Sequence, residues 1–208
     1  MLYLATSSGP KVRDAMVRHP DWLGQMLTPD TGNAIIGTPV SWAADNGAFA
    51  SWLNGTPFDF DRWADWLAAK PTSSMWAVVP DVVSDHEATL QRWHDWAPLT
   101  RDLGHRPAFV LQNGCTPSVV PADADVVFIG GDTDWKLGPV ARSIVGELRS
   151  RCWIHMGRVN SLRRLLYAAA IGCHSVDGTY LAYGPDRNLP TLLGWLRQVN
   201  APTLWETG

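Results

Sequence analysis

Short, unbroken apolar runs punctuate the chain at residues 2–5, 40–44, 75–79, 108–111, 126–129, 153–156 and 175–176. Runs without polar alternation are expected of strands covered on both faces, as in a parallel sheet. A further run at 34–36 fits either an extra strand or part of a loop. Between these runs the apolar period lengthens to that of helices. Residues 60–69 space tryptophans at Trp63 and Trp66, and residues 85–96 follow Ser84, with Glu87 three positions on, the pattern of a capping box. Residues 161–171 set Leu162, Leu165, Leu166 and Ala169 on one stripe, and residues 189–199 do the same with Leu192, Leu193 and Leu196.

Strand and helix alternating over short connections predict a parallel sheet. Seven or eight strands favour a closed barrel over an open doubly wound sheet. The expectation is an α/β chain forming one compact (β/α)8 TIM-like barrel over residues 1–208. That length falls short of the ~250 residues typical of such barrels, so some helices should be short or missing. A hydrophobic fraction of 46% against 18% charged describes a folded globular protein, and four of the twelve tryptophans (Trp63, Trp66, Trp93 and Trp96) read as helix-face packing groups. No run is long enough to cross a bilayer and the N-terminus lacks a signal-peptide pattern, so no membrane contact and a cytoplasmic location are expected. Three cysteines without close spacing suit a reducing compartment. No Gly-x-Gly-x-x-Gly follows the first strand and no Walker sequence occurs, which argues against dinucleotide and P-loop sites.

Charge is segregated more than the net value of −3 suggests. Residues 1–135 hold 8 Lys/Arg against 16 Asp/Glu, whereas residues 136–197 hold 9 against 3. A basic segment can mark a polyanion-binding face, although Arg142, Arg149 and Arg151 fit ordinary helix surface equally well. Arg158, Arg163, Arg164 and Arg187 bracket the loops around the last predicted strand.

Carboxylates stand at three predicted strand ends: Asp45 in Asp45-Asn46-Gly47, Asp81 after Pro80, and Asp177 in Ser175-Val176-Asp177-Gly178. In a barrel these ends converge on one face, where catalytic groups collect. Asp45-Asn46-Gly47 and Gln112-Asn113-Gly114 also suit turns, Asp81 could cap a helix, and Gly130-Gly131 could simply close a loop. Asp177 has fewer bland explanations, because a carboxylate ending an apolar strand is costly without partners. His155, His174, Cys152 and Cys173 sit at neighbouring strand positions that face opposite ways, so no metal site is expected.

Read in order, Asp45-Asn-Gly-Ala-Phe49, Asp81, Gln112 with Gly114, Gly130-Gly131, Met156-Gly157 and Ser175-Val-Asp177 resemble the motif series of the tRNA-guanine transglycosylases. The resemblance spans about residues 40–190 and is nearest in character to phage-encoded relatives that insert 7-deazaguanines into DNA, which would place the protein in a host cytoplasm. It implies base exchange: guanine in nucleic acid is replaced by a 7-deazaguanine without a cofactor. Asp177 would be the nucleophile and Asp45 the general acid/base. Asp81 and Gln112 would read the purine edge, Gly130 and Gly131 would offer backbone N–H groups, and Met156 and Phe49 would sandwich the ring. Arg158, Arg163, Arg164 and Arg187 would meet phosphates. Two features depart from the family. No Cys-x-Cys-x-x-Cys zinc segment follows Asp177, which disfavours tRNA and the family dimer and leaves a monomer or weak oligomer acting on DNA. The Pro-Thr-Arg after the nucleophile is replaced by Gly178-Thr179-Tyr180. A glycosylase or nucleosidase using the same residues, and a catalytically silent barrel that binds nucleic acid or protein, are the competing readings. A barrel acting on a small phosphorylated metabolite is a further one.

Overall fold

The structure is a computed structural model and describes residues 1–201. Eight parallel strands close into a barrel in chain order: β1 (Leu2–Ala5), β2 (Leu23–Leu27), β3 (Trp42–Ala44), β4 (Ala77–Val78), β5 (Pro107–Leu111), β6 (Val126–Ile129), β7 (Trp153–Met156) and β8 (Ser175–Gly178). β8 pairs back onto β1 with Asp177 beside Leu4. Around the barrel run α1 (Pro10–Arg18), α2 (Ala48–Leu53), α3 (Phe60–Ala68), α4 (His86–Asp102), α5 (Thr133–Lys136), α6 (Pro139–Leu148), α7 (Leu162–Ile171) and α8 (Pro185–Asn200). No helix follows β2, and β5 is followed only by a 3-10 turn at Pro117–Val119. These two omissions let a chain of this length close a full (β/α)8 TIM barrel.

Strand alternation divides the core into two layers. Leu2, Leu4, Met26, Ala43, Trp76, Val78, Ala108, Val110 and Val126 pack inside the barrel with Phe128 and Trp153. The intervening residues, such as Tyr3, Phe109, Val127, Ile154, Met156 and Val176, face the helices. Trp76 fills the barrel axis with its ring centroid 4.8 Å from His155 and 6.1 Å from Phe128. On the outside, Trp63 stands edge-on to Trp96 at 5.9 Å and Trp96 stacks on Phe60 at 4.8 Å, so α3 and α4 share an aromatic seam.

Several local expectations are corrected. The second strand is Leu23–Leu27, whose apolar run is interrupted by Gly24 and Gln25. Gly24 is required there, because a methyl would fall 2.6 Å from the Ser41 carbonyl oxygen and 2.7 Å from the Leu4 side chain. Buried Gln25 donates to the Ala34 carbonyl and accepts from the Ile36 amide, which holds residues 34–36 as a loop rather than a strand. Helix α4 is capped by Asp85, which accepts from the Ala88 amide, not by Ser84. Ser84 instead takes a left-handed φ of 63° and donates its amide to Gln112 Oε1. Helix α8 starts four residues earlier than its leucine stripe, at Pro185, which follows Gly184 in the left-handed region.

Gly178 ends β8 under three oxygens. A methyl there would sit 2.5 Å from the Tyr3 hydroxyl and 2.6 Å from the Val159 carbonyl. Gly178→Ala is therefore expected to cost about 1–3 kcal/mol, the usual penalty of overpacking. It should appear as a lower urea midpoint at unchanged m-value, and an unchanged midpoint would refute the packing argument.

Candidate active site

The C-terminal ends of the strands open into a cavity of about 430 Å³. Asp45, Phe49, Asp81, Gln112, Gly130, Gly131, Arg158 and Asp177 all line it, so eight of the twelve residues singled out by sequence meet in one place. Val78, Val110 and Phe128 supply its apolar floor, and Phe49 stands exposed at its rim.

Asp177 reaches the cavity from the end of β8, with its side chain 12% exposed. Its Oδ1 accepts from the Arg158 amide at 3.1 Å and its Oδ2 pairs with His155 Nε2 at 2.9 Å. Arg158 holds a left-handed φ of 61°, which turns that amide back onto the carboxylate. Its guanidinium binds the Gly131 carbonyl and lies 4.4 Å over the Phe49 ring. Behind Asp177 a relay runs into the barrel interior. Trp153 Nε1 can only donate, so it bonds Ser175 Oγ at 2.8 Å, and Ser175 in turn meets His155 Nδ1 at 2.8 Å. Burial pushes the His155 pKa down despite the opposing pull of Asp177. These bonds fit an imidazole that accepts the Ser175 proton at Nδ1 and donates its Nε2–H to Asp177.

Asp45 has the opposite environment. Burial first, then the negative charges of Asp177 and Asp81, push its carboxyl up to about 7. The Asn46 amide bonds its Oδ1 at 2.8 Å. Asp81 is also raised, chiefly by burial, while hydrogen bonds from Asn46 and Gln112 act against that shift. Asn46 Nδ2 donates to Asp81 Oδ1 at 2.7 Å and Gln112 Nε2 to Oδ2 at 2.5 Å. Each oxygen keeps a second lone pair for a ligand.

Roles expected of other residues change. Gln112 is a brace: beyond its bond to Asp81, its Oε1 accepts the amides of Ser84 and Gly131 at 2.9 and 2.8 Å. The N–H groups of Gly130 and Gly131 are already spent, on the Leu111 carbonyl and on Gln112, and offer nothing to a ligand. Gly130 is nonetheless required, since a methyl would meet Val110 at 2.7 Å. Met156 is fully buried in the helix-facing layer and cannot touch a ring in the cavity, because strand alternation turns it away from its inward neighbour His155. Arg164 donates to the Arg158 carbonyl and braces that loop, Arg163 is exposed on α7, and Arg187 is exposed on the first turn of α8 beside a second cavity. Arg149 and Arg151 precede β7 at the opposite end of the barrel, so the basic segment does not form one face.

Four contributors escaped the sequence reading. In the sequence His155 stands out only as a possible metal ligand, and Asn46 and Ser175 only as parts of motifs. Lys136 is 2% exposed and gives its ammonium proton to the Gly157 carbonyl at 2.8 Å. Burial and Arg158 bring it down to about 7. Among the described residues no three His, Cys, Asp or Glu side chains gather as a metal site, and no helix is long and apolar enough to cross a membrane. His174 stacks on Trp153 and accepts the Ile154 amide, away from His155.

No family model matches the chain, and no curated protein matches it in sequence. Solved structures do share its fold. A putative fructose-1,6-biphosphate aldolase from Coccidioides immitis aligns with a TM-score of 0.58 at 10% identity, over 95% of this chain and 84% of that one. Tryptophan synthase from M. tuberculosis aligns at 0.55 and 15% identity, over 95% and 88%. Tryptophan synthase subunit alpha from Legionella pneumophila aligns at 0.55 and 10% identity, over 95% and 90%. All three are named as enzymes, and at these identities the likeness establishes the TIM-barrel fold alone.

Proposed function

We propose that this barrel exchanges guanine for a 7-deazaguanine derivative in nucleic acid, DNA in preference to tRNA, through a covalent Asp177–glycosyl intermediate. The observation that carries this reading is the pair of carboxylates with opposed environments in one cavity. Asp177 takes two N–H donors, while Asp45 is raised to about 7 by burial and like charge. A carboxylate held in place by N–H donors suits the nucleophile, and one that keeps its proton up to about 7 suits the acid/base. The Asp177 carboxylate attacks C1′ as the bond to the departing base breaks, and Asp45 delivers a proton to that base. The incoming deazaguanine gives its N–H proton to Asp45, attacks C1′ and frees Asp177, so the energy of one glycosidic bond is retained. Asp81, held by Asn46 and Gln112, accepts from N–H groups on the purine edge. Phe49, backed by the Arg158 guanidinium, provides a flat face at the rim. The resemblance of the ordered motifs supports the identity of the base, and the two carboxylates in one cavity support the chemistry. A base within a duplex must first be flipped out to reach this cavity.

The test is DNA carrying labelled guanine incubated with the protein and a panel of 7-deazaguanines. Label release that requires an added deazaguanine supports exchange. Release without one points to a glycosylase, and no release from DNA or tRNA overturns the reading. In the same assay kcat/KM is expected to fall as pH rises through about 7, where Asp45 loses the proton that the leaving base needs. Asp45→Asn should remove that limb together with most of the activity. Stability has its own sign. Asp45 binds its proton more tightly folded than unfolded, so stability falls as pH rises from about 4 to about 7 and is flat above. Asp45→Asn is therefore expected to melt higher than wild type at pH 8, and a lower Tm would contradict the assigned environment.

A further inference from the structure

A second cavity, about 450 Å³, lies beside the first above β7 and β8 and is lined by Asn160, Thr179, Tyr180, Tyr183, Arg187 and Asn188 among others. Thr179, two residues beyond Asp177, lines both cavities, so the two adjoin. We propose that this second cavity is a subsite for the nucleotide next to the reacting one on the same strand, an inference that rests on the nucleic-acid reading above.

Its chemistry matches two parts of a nucleotide, the base and the phosphate. Tyr183 is 75% exposed and offers an uncovered ring face on which a base can stack. Arg187 is exposed on the first turn of α8 and carries a guanidinium whose protein contact is a long 3.4 Å bond to Asn188, leaving its fork for a phosphate. The acidic neighbour Asp186 is engaged by Lys11 at 2.8 Å and does not compete for it. Asn160 Nδ2 reaches Thr179 Oγ1 at 3.3 Å, while its Oδ1 is buried against Gly178.

The loop is set in advance. Buried Asn188 donates to the carbonyls of Tyr180 and Tyr183, both at 2.8 Å, and Tyr180 packs on Trp195 at 4.7 Å. A preset loop loses little freedom on binding. The volume lies within the roughly 300–1,000 Å³ of small-ligand pockets.

The test measures binding of a fluorescent single-stranded oligonucleotide by anisotropy, alongside guanine release, for wild type, Tyr183→Ala, Arg187→Ala and Asp177→Asn. Tyr183→Ala and Arg187→Ala touch exposed side chains and should fold normally. Each is expected to weaken oligonucleotide binding about ten-fold and raise KM for DNA by a similar factor, with kcat little changed. Asp177→Asn should bind DNA as wild type does. Free mononucleotide should compete only weakly, since it lacks the base held in the first cavity. If both surface variants bind and react as wild type, the subsite is overturned while exchange stands. If wild type binds through Tyr183 and Arg187 yet releases no guanine, the subsite stands and the exchange reading fails. Tight, equal binding of free mononucleotide would also overturn the proposal in favour of a small-molecule site.

Discussion

Asp177→Asn is expected to abolish base exchange, with kcat falling by about 10⁴-fold or more, the scale on which loss of a covalent nucleophile acts. The substitution is nearly isosteric. Its amide oxygen can still accept from the Arg158 amide, as Asp177 Oδ1 does at 3.1 Å. Its new NH₂ faces His155 Nε2, and the imidazole accommodates it by moving its proton to Nδ1 and donating to Ser175 Oγ. The fold should therefore survive, with Tm close to wild type, so that lost activity reports chemistry rather than unfolding. Intact mass should show a protein–DNA adduct for wild type when the incoming base is withheld, and none for Asp177→Asn. Activity within ten-fold of wild type would remove Asp177 as nucleophile and leave a role in electrostatics alone.

The parallel barrel was legible because burial on both faces leaves continuous apolar runs, and five of the eight strands, β1 and β3 to β6, are apolar at their inward and outward positions alike. β2 did not, because Gly24 and Gln25 are there for a close approach and a buried loop anchor, needs set by neighbours distant in sequence. The three strand-end carboxylates were legible by the same logic, since any residue one step past an apolar strand must lie on the C-terminal face. What each could do there was less visible. Gly130-Gly131 and Gln112 look alike as ligand donors or as internal braces, and only the bonds between Gln112, Gly131, Ser84 and Asp81 decide for the brace. Met156 fell to alternation: in Trp153-Ile154-His155-Met156 the inward positions are Trp153 and His155. The same two-residue period puts Ser175 and Asp177 on one face of β8, in register with His155, where Ser175 pairs with it directly. That polar set on inward positions was the available signal for the relay.

The relay makes His155→Phe the second large effect expected. His155 is fully buried, 4.8 Å from Trp76 and 4.7 Å from Phe128, so a ring of similar size preserves the packing of the barrel axis. It removes both hydrogen bonds and leaves Ser175 and one Asp177 oxygen without their partner. The stability cost should be about 1–3 kcal/mol, that of leaving a buried polar group unsatisfied. Activity should fall about a hundred-fold, because the nucleophile is no longer aimed, and small misplacements of a reacting group are that expensive. A merely structural role predicts a lower Tm with kcat unchanged. A positioning role predicts more: kcat falls while KM for DNA changes little, because binding does not depend on how the nucleophile is aimed. His155→Gln, which can still present an N–H towards Asp177, should recover part of kcat. Loss of stability with kcat unchanged would confine His155 to the core and leave the Arg158 amide as the donor that holds Asp177 in place.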